Sequence, residues 1–98
     1  MLKSSKFSTL AQNGRKVMKI YDFNGSKNIC GEGVKAARKA LKLSQADLAA
    51  KLQTEGVNIE RDSISRIEIG TRFVADFELL ALAKVLGVST EHLLTPKK

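Results

Sequence analysis

From Gly31 onward, apolar residues recur at intervals of three and four. In "EGVKAARKALKL", Val34, Ala37 and Leu41 share one face, the spacing of an amphipathic helix. A second segment opens at Ser44, a favourable N-cap, with Asp47 three residues on completing a capping box in which Asp replaces the usual Glu or Gln. Leu48, Ala49 and Leu52 form its apolar side, and "TEGVN" breaks the pattern. Ile64 and Ile67 give a third helix its buried face, with Ile59 just ahead of it and Gly70 as the stop. Asp76 is placed to cap a fourth helix with the stripe Leu79, Leu82, Ala83 and Leu86. Gly87 ends that helix, and Val88 is positioned for the hydrophobic contact that accompanies a glycine cap. Ser89 caps a last short helix through Leu94, and Pro96 stops it. Helices this short are unstable alone and must bury their stripes against one another. The expected fold is therefore compact, all-α and five-helical.

The first third reads differently. "NGSKN", Asn24 to Asn28, has the composition of a loop. Before it, "FSTLAQNGRKVMKIYDF" holds Asn13-Gly14 between strand-like stretches, the favoured pair for a two-residue type I′ turn. A hairpin centred there pairs Leu10 with Val17 and Phe7 with Ile20, and carries Phe7, Thr9, Met18 and Ile20 on one face. A lone hairpin is marginal in water and would need a surface to pack on. A flexible arm is the alternative, and the residues do not choose between them. The domain boundaries expected are an arm or hairpin over 1–28, a helical domain over 29–95 and a tail over 96–98.

Charge sharpens this division. Of the net charge of +7, residues 1–30 contribute six Lys/Arg against one acid, a net +5, and residues 31–98 eleven against nine, a net +2. A basic arm on a mildly basic domain points to a polyanion partner, although a solvated arm that maintains solubility has the same composition. No apolar run reaches the ~18 residues of a membrane span. Cys30, the single cysteine, forms no internal disulfide, so a reduced, cytoplasmic setting is expected. Cys30 and His92 do not suffice for a structural zinc site. No nucleophile–base arrangement, paired carboxylates or phosphate loop stands out, so neither an enzyme nor a cofactor is expected.

The third helix carries the most informative side chains. With Ile64 and Ile67 inward, Arg61, Asp62, Ser65 and Arg66 fall on its outer side. An α-helix fits the DNA major groove, where Arg grips guanine O6 and N7, Asp accepts from the cytosine amino group and Ser serves either role. Alternatively, Asp62 pairs with Arg66 four residues on and merely orients it. Ser44 and Gln45 begin the second helix, where free backbone N–H groups and the positive dipole end form a phosphate site. Thr71 and Arg72, just past the third helix, are placed for phosphate contacts as well.

"LSQADLAAKL", "ISRIEIG" and "LLALAKVLGVSTEHLL", in that order, give residues 31–94 a resemblance to the phage-repressor helix-turn-helix family, also called Cro/repressor or Xre-like. The resemblance implies a five-helix, lambda-repressor-like fold with helix three as the recognition helix. It implies base contacts from the start of helix three and Arg66, and phosphate contacts from Gln45 and the segment after Gly70; taken with the side-chain chemistry, the expected base contacts are Arg61, Asp62, Ser65 and Arg66, and the expected phosphate contacts Ser44, Gln45, Ser63, Thr71 and Arg72. Lys16 in the basic arm is added to the phosphate contacts on its charge. An ion pair between Arg38 and Glu68, tying helix one to helix three, is implied as well. Four departures stand out. The join "QTEGVNI" is about five residues longer than the usual tight turn. Glu60 replaces a better cap, and Ile69 stands where a polar or basic residue is frequent, so a phosphate contact is missing there. Lys42 replaces a frequent Gly at the cost of a left-handed strain of about 1 kcal/mol.

The expected function is a sequence-specific DNA-binding transcriptional regulator, a repressor of phage or mobile-element type. It would bind double-stranded DNA as a homodimer on a palindromic operator. Leu80 and Leu94 are the candidate subunit contacts. The rivals are an antitoxin-like or other protein-interaction module, and a non-specific basic nucleic-acid binder.

Overall fold

A computed structural model describes residues 23 and 25–95. The Asn13-Gly14 hairpin, Lys16 and the tail 96–98 lie outside the described residues. Five helices follow one another: α1 (Gly31–Ala40), α2 (Gln45–Thr54), α3 (Arg61–Ile69), α4 (Asp76–Leu86) and α5 (Thr90–Leu94). Helix α1 packs against α3, α4 and α5, while α2 packs against α3 and α4. Val34, Leu48, Leu52, Ile64, Ile67, Leu82 and Leu93 are fully enclosed at their junction. Each such side chain contributes roughly 1.5–3 kcal/mol by leaving water. No described helix is long and apolar enough to cross a membrane.

Four of the helices close in the same way. One or two residues past the end, a residue takes a left-handed conformation, and the next N–H reaches back five residues. The bonds run from Leu43 to Arg38, Val57 to Leu52, Thr71 to Arg66 and Val88 to Ala83, through oxygens 2.9–3.1 Å away. This is the Schellman closure, which satisfies carbonyls the helix leaves unpaired. Gly56, Gly70 and Gly87 hold the left-handed position in three of them; Lys42, at φ +60°, holds it in the fourth. Leu41, expected on the apolar stripe of α1, is instead the C-cap and half exposed, because the closure turns the chain away after Ala40.

The N-terminal caps divide. Ser44 Oγ accepts from the Asp47 amide and Asp47 Oδ2 from the Ser44 amide, a reciprocal capping box. Ser89 Oγ accepts from the His92 amide at the start of α5. Asp76 was expected to cap α4, but it is the first helical residue, and Ala75 occupies the cap position. The work falls to Glu78, whose Oε1 accepts from the Ala75 amide at 3.0 Å while Arg72 clamps both carboxylate oxygens at 2.9 and 3.1 Å. The long join between α2 and α3 is folded into the domain. Ile59 is buried, Gln53 Nε2 donates to its carbonyl, and Glu55 pairs with Lys84 of α4 at 2.8 Å.

Phe23 and Ser26 exchange two backbone hydrogen bonds across a tight turn, and the chain then runs as a strap over the end of α3. The Lys27 amide donates to Gly70 O at 2.8 Å. Asn28 Nδ2 donates to Ile67 O and Arg72 O, and Asn28 Oδ1 accepts from the Gly31 amide, capping α1 in place of the uninvolved Cys30 side chain. Gly31 permits this close approach, since a Cβ there would overlap Ile67 O.

Two stability predictions follow from this architecture. Replacing Lys42 by Gly removes the single non-glycine left-handed residue among those described. It should raise the unfolding free energy by up to about 1 kcal/mol in urea titration, with an unchanged m-value. Hydrogen bonds from Arg72 are the main cause holding Glu78 below its ordinary value of 4.5. A carboxylate lowered on folding stabilises fully above its unfolded value, and that contribution is lost as pH falls through the folded one. Stability should therefore decline as pH drops below about 4.5, and Glu78→Gln should flatten the decline. Asp47, held low by its bonds with Ser44, acts in the same direction and remains in the variant.

Candidate nucleic-acid interface

The orientation of α3 about its own axis decides what it presents. Ile64 and Ile67 have no exposed surface, so the opposite side must face out. Arg61, Asp62 and Arg66 are exposed there, and Ser65 is half buried beside them. The Arg61 and Asp62 side chains retain 60% and 68% of their surface, enough to meet a ligand without rearranging the core. Asp62 Oδ1 accepts from Arg61 Nη2 at 2.9 Å. Asp62 thus pairs with its neighbour in the chain and not with Arg66, as the four-residue spacing had suggested. Ser63, expected at a phosphate, is half buried on the flank of the helix.

Beneath this face lies an ion pair linking three helices. Arg38 of α1 donates through Nε and Nη2 to the two oxygens of Glu68 of α3, at 2.6 and 3.0 Å. Arg38 Nη1 donates to Leu43 O at 2.8 Å, and Gln45 Nε2 of α2 donates to Glu68 Oε1 at 3.0 Å. The pair is nearly sealed from water, with side chains 10% and 3% exposed. Its hydrogen bond to Glu68 chiefly raises the Arg38 pKa further. A buried pair of this kind adds little net stability, yet losing one partner costs about 3–5 kcal/mol. Its effect is to fix the azimuth of α3.

The expected phosphate contacts do not form one set. Gln45 is half buried, and one of its two amide protons is taken by Glu68. The other, with the backbone N–H groups of the first turn of α2, remains available to an anion. Ser44 acts as a cap, and Asp47 puts a negative charge beside it. Thr71 is exposed at the end of α3. The Arg72 guanidinium is half buried and donates to Glu78 and to Phe73 O, which holds the entrance of α4.

The sequence reading missed the strap. Ser26 Oγ donates its one proton to Asn28 O at 2.6 Å and lies 3.3 Å from Gly70 O. Lys27 is exposed with its ammonium 5.3 Å from the centre of the Phe73 ring. One signal was present: Asn28 stands three residues before Gly31, the spacing of a capping Asn. Cys30 is buried, and burial pushes its thiol up, away from the reactive thiolate. Among the described residues no cluster of His, Cys, Asp and Glu could hold a metal ion.

Comparison with known proteins agrees with the geometry. A helix-turn-helix family model matches residues 34–93. The P22 c2 repressor, solved in complex with a synthetic operator, superposes with a TM-score of 0.61 at 31% identity over 71% of this chain and 98% of that one. The restriction-modification controller protein C.AhdI from Aeromonas hydrophila gives 0.58 at 28% identity, over 65% and 89%. A search of curated proteins finds no match. The match of three-fifths of the chain to one family model, with the five-helix fold and the outward-facing side of α3, places it: the chain belongs to the Xre-like (Cro/repressor) helix-turn-helix family of DNA-binding transcriptional regulators.

Proposed function

We propose that this protein is a sequence-specific transcriptional repressor of phage or mobile-element type, acting in the cytoplasm as a homodimer on a palindromic operator. The observation that carries this reading is the set of hydrogen-bonding side chains on α3, Arg61, Asp62, Ser65 and Arg66, opposite the fully buried Ile64 and Ile67. In the major groove, Arg66 and Arg61 present guanidinium donors to guanine edges and Asp62 an acceptor to cytosine. Gln45, Ser44, Ser63 and Thr71 flank that face and are assigned to phosphates, as is Lys16 in the basic arm. The similarity to a repressor solved on its operator supports the same use of the fold here. No cofactor is needed.

Two copies would place their α3 helices in successive major grooves, about 34–36 Å apart. Phe77 and Leu80 on α4 and Leu94 on α5, with 63%, 65% and 39% of their surfaces exposed, supply apolar area for the subunit contact. The same exposed residues favour a second reading, in which this surface binds a different protein as an antitoxin-like module does.

Selection of bound sequences from a random duplex pool at near-physiological salt separates the two. A two-fold symmetric consensus is expected, and its absence would favour the protein partner. On that consensus, Arg66→Ala should relax selectivity at one base pair per half-site by roughly 1–3 kcal/mol. Lys16→Ala should instead weaken binding to all duplexes alike. Equal losses on every duplex from both substitutions would favour a non-specific basic binder.

A further inference from the structure

Beyond Arg66, which the reading above assigns to a base, the outward side of α3 ends without a cationic side chain. Ile69, its last residue, is 70% exposed and offers no donor. Arg72, the next basic residue along the chain, has its guanidinium held by Glu78 and Phe73 O. A helix C-terminus carries a partial negative charge, which would repel a phosphate unless it is offset. The strap lies across this end. The Lys27 amide donates to Gly70 O, and Asn28 Nδ2 donates to Ile67 O and Arg72 O. Three carbonyls at the end of the helix are thereby covered by donors. On the same strap, one full positive charge, the Lys27 ammonium, lies over the Phe73 ring.

We propose that Lys27 is the phosphate-gripping cation at the C-terminal end of the recognition helix, in the role that Arg72 has given up to the fold. This inference rests on the DNA-binding reading above. Lys27 is fixed by its backbone, not its side chain, so the ammonium is exposed and keeps its three donors. Asn28 is the positioning residue: it holds the strap to both α3 and the loop after it. A contact of this kind carries no sequence information. It sets the register of the helix on the duplex and adds to the salt dependence of binding.

The test uses the full chain, with the selected operator and an unrelated duplex titrated over roughly 50–200 mM salt. Lys27→Ala and Lys27→Gln should each reduce the slope of log affinity against log salt by about 0.9, one phosphate's worth. Both duplexes should weaken by the same factor, with Tm unchanged, and Lys27→Arg should restore the slope. Arg72→Gln should lower Tm and, at a temperature where it is folded, keep the wild-type slope. A wild-type slope in Lys27→Ala, or a slope loss in Arg72→Gln instead, overturns the assignment while leaving the DNA-binding reading intact. Failure of the unmodified chain to bind any duplex overturns both.

Discussion

The azimuth of α3 is the constraint on which the rest depends. Rotation of this helix by a third of a turn would bury Arg66 and expose an isoleucine. Two kinds of interaction prevent it. Ile64 and Ile67 resist rotation through the hydrophobic effect, which has no directional preference and tolerates repacking. The Glu68 carboxylate resists it directionally, because Arg38 from α1 and Gln45 from α2 both bond it with defined geometry. The ion pair is costly to desolvate, so its contribution is better described as specifying an orientation than as adding stability. It also joins Gln45, at the start of α2, to α3.

Around that centre the chain economises on loops. No described helix is longer than α4, with 11 residues, and each depends on its neighbours. The repeated Schellman closure turns the chain sharply and satisfies carbonyls at each helix end, so short connections suffice. The join before α3 is longer than the usual tight turn, and its added residues are absorbed through Ile59 and the Glu55–Lys84 pair. The first turn of α2 and the outer side of α3 thus remain fixed relative to one another, despite a departure from the usual spacing.

What the sequence made legible was periodic or local. The inward isoleucines, the Ser44–Asp47 box, the Ser89 cap and the glycine closures at Gly70 and Gly87 each depend on residues within a few positions of one another. The errors arose where a short-range rule met a longer-range competitor. Leu41 fitted the stripe of α1 by spacing, but the closure through Lys42 and Leu43 took the chain out of the helix first. Asp76 had the chemistry of a cap, but Glu78 and Arg72 already satisfied the entrance to α4. The contacts of the strap with the end of α3 were hidden because Asn28 and Arg72 are 44 residues apart, and a Gly/Ser/Asn cluster is ordinarily solvated. Arg72 shows the consequence for site prediction. A basic residue in the expected place can be committed to the fold, and only its partners reveal this.

Chemical interference on the operator tests most directly whether α3 faces the bases as its azimuth requires. Guanine N7 lies in the major groove, where a guanidinium from Arg66 would meet it. Methylation of N7 at one symmetric pair of guanines should abolish binding of the unmodified protein and leave binding of Arg66→Ala unaffected. Tolerance of N7 methylation throughout the operator, with interference confined to minor-groove adenine N3, would contradict the placement of this helix.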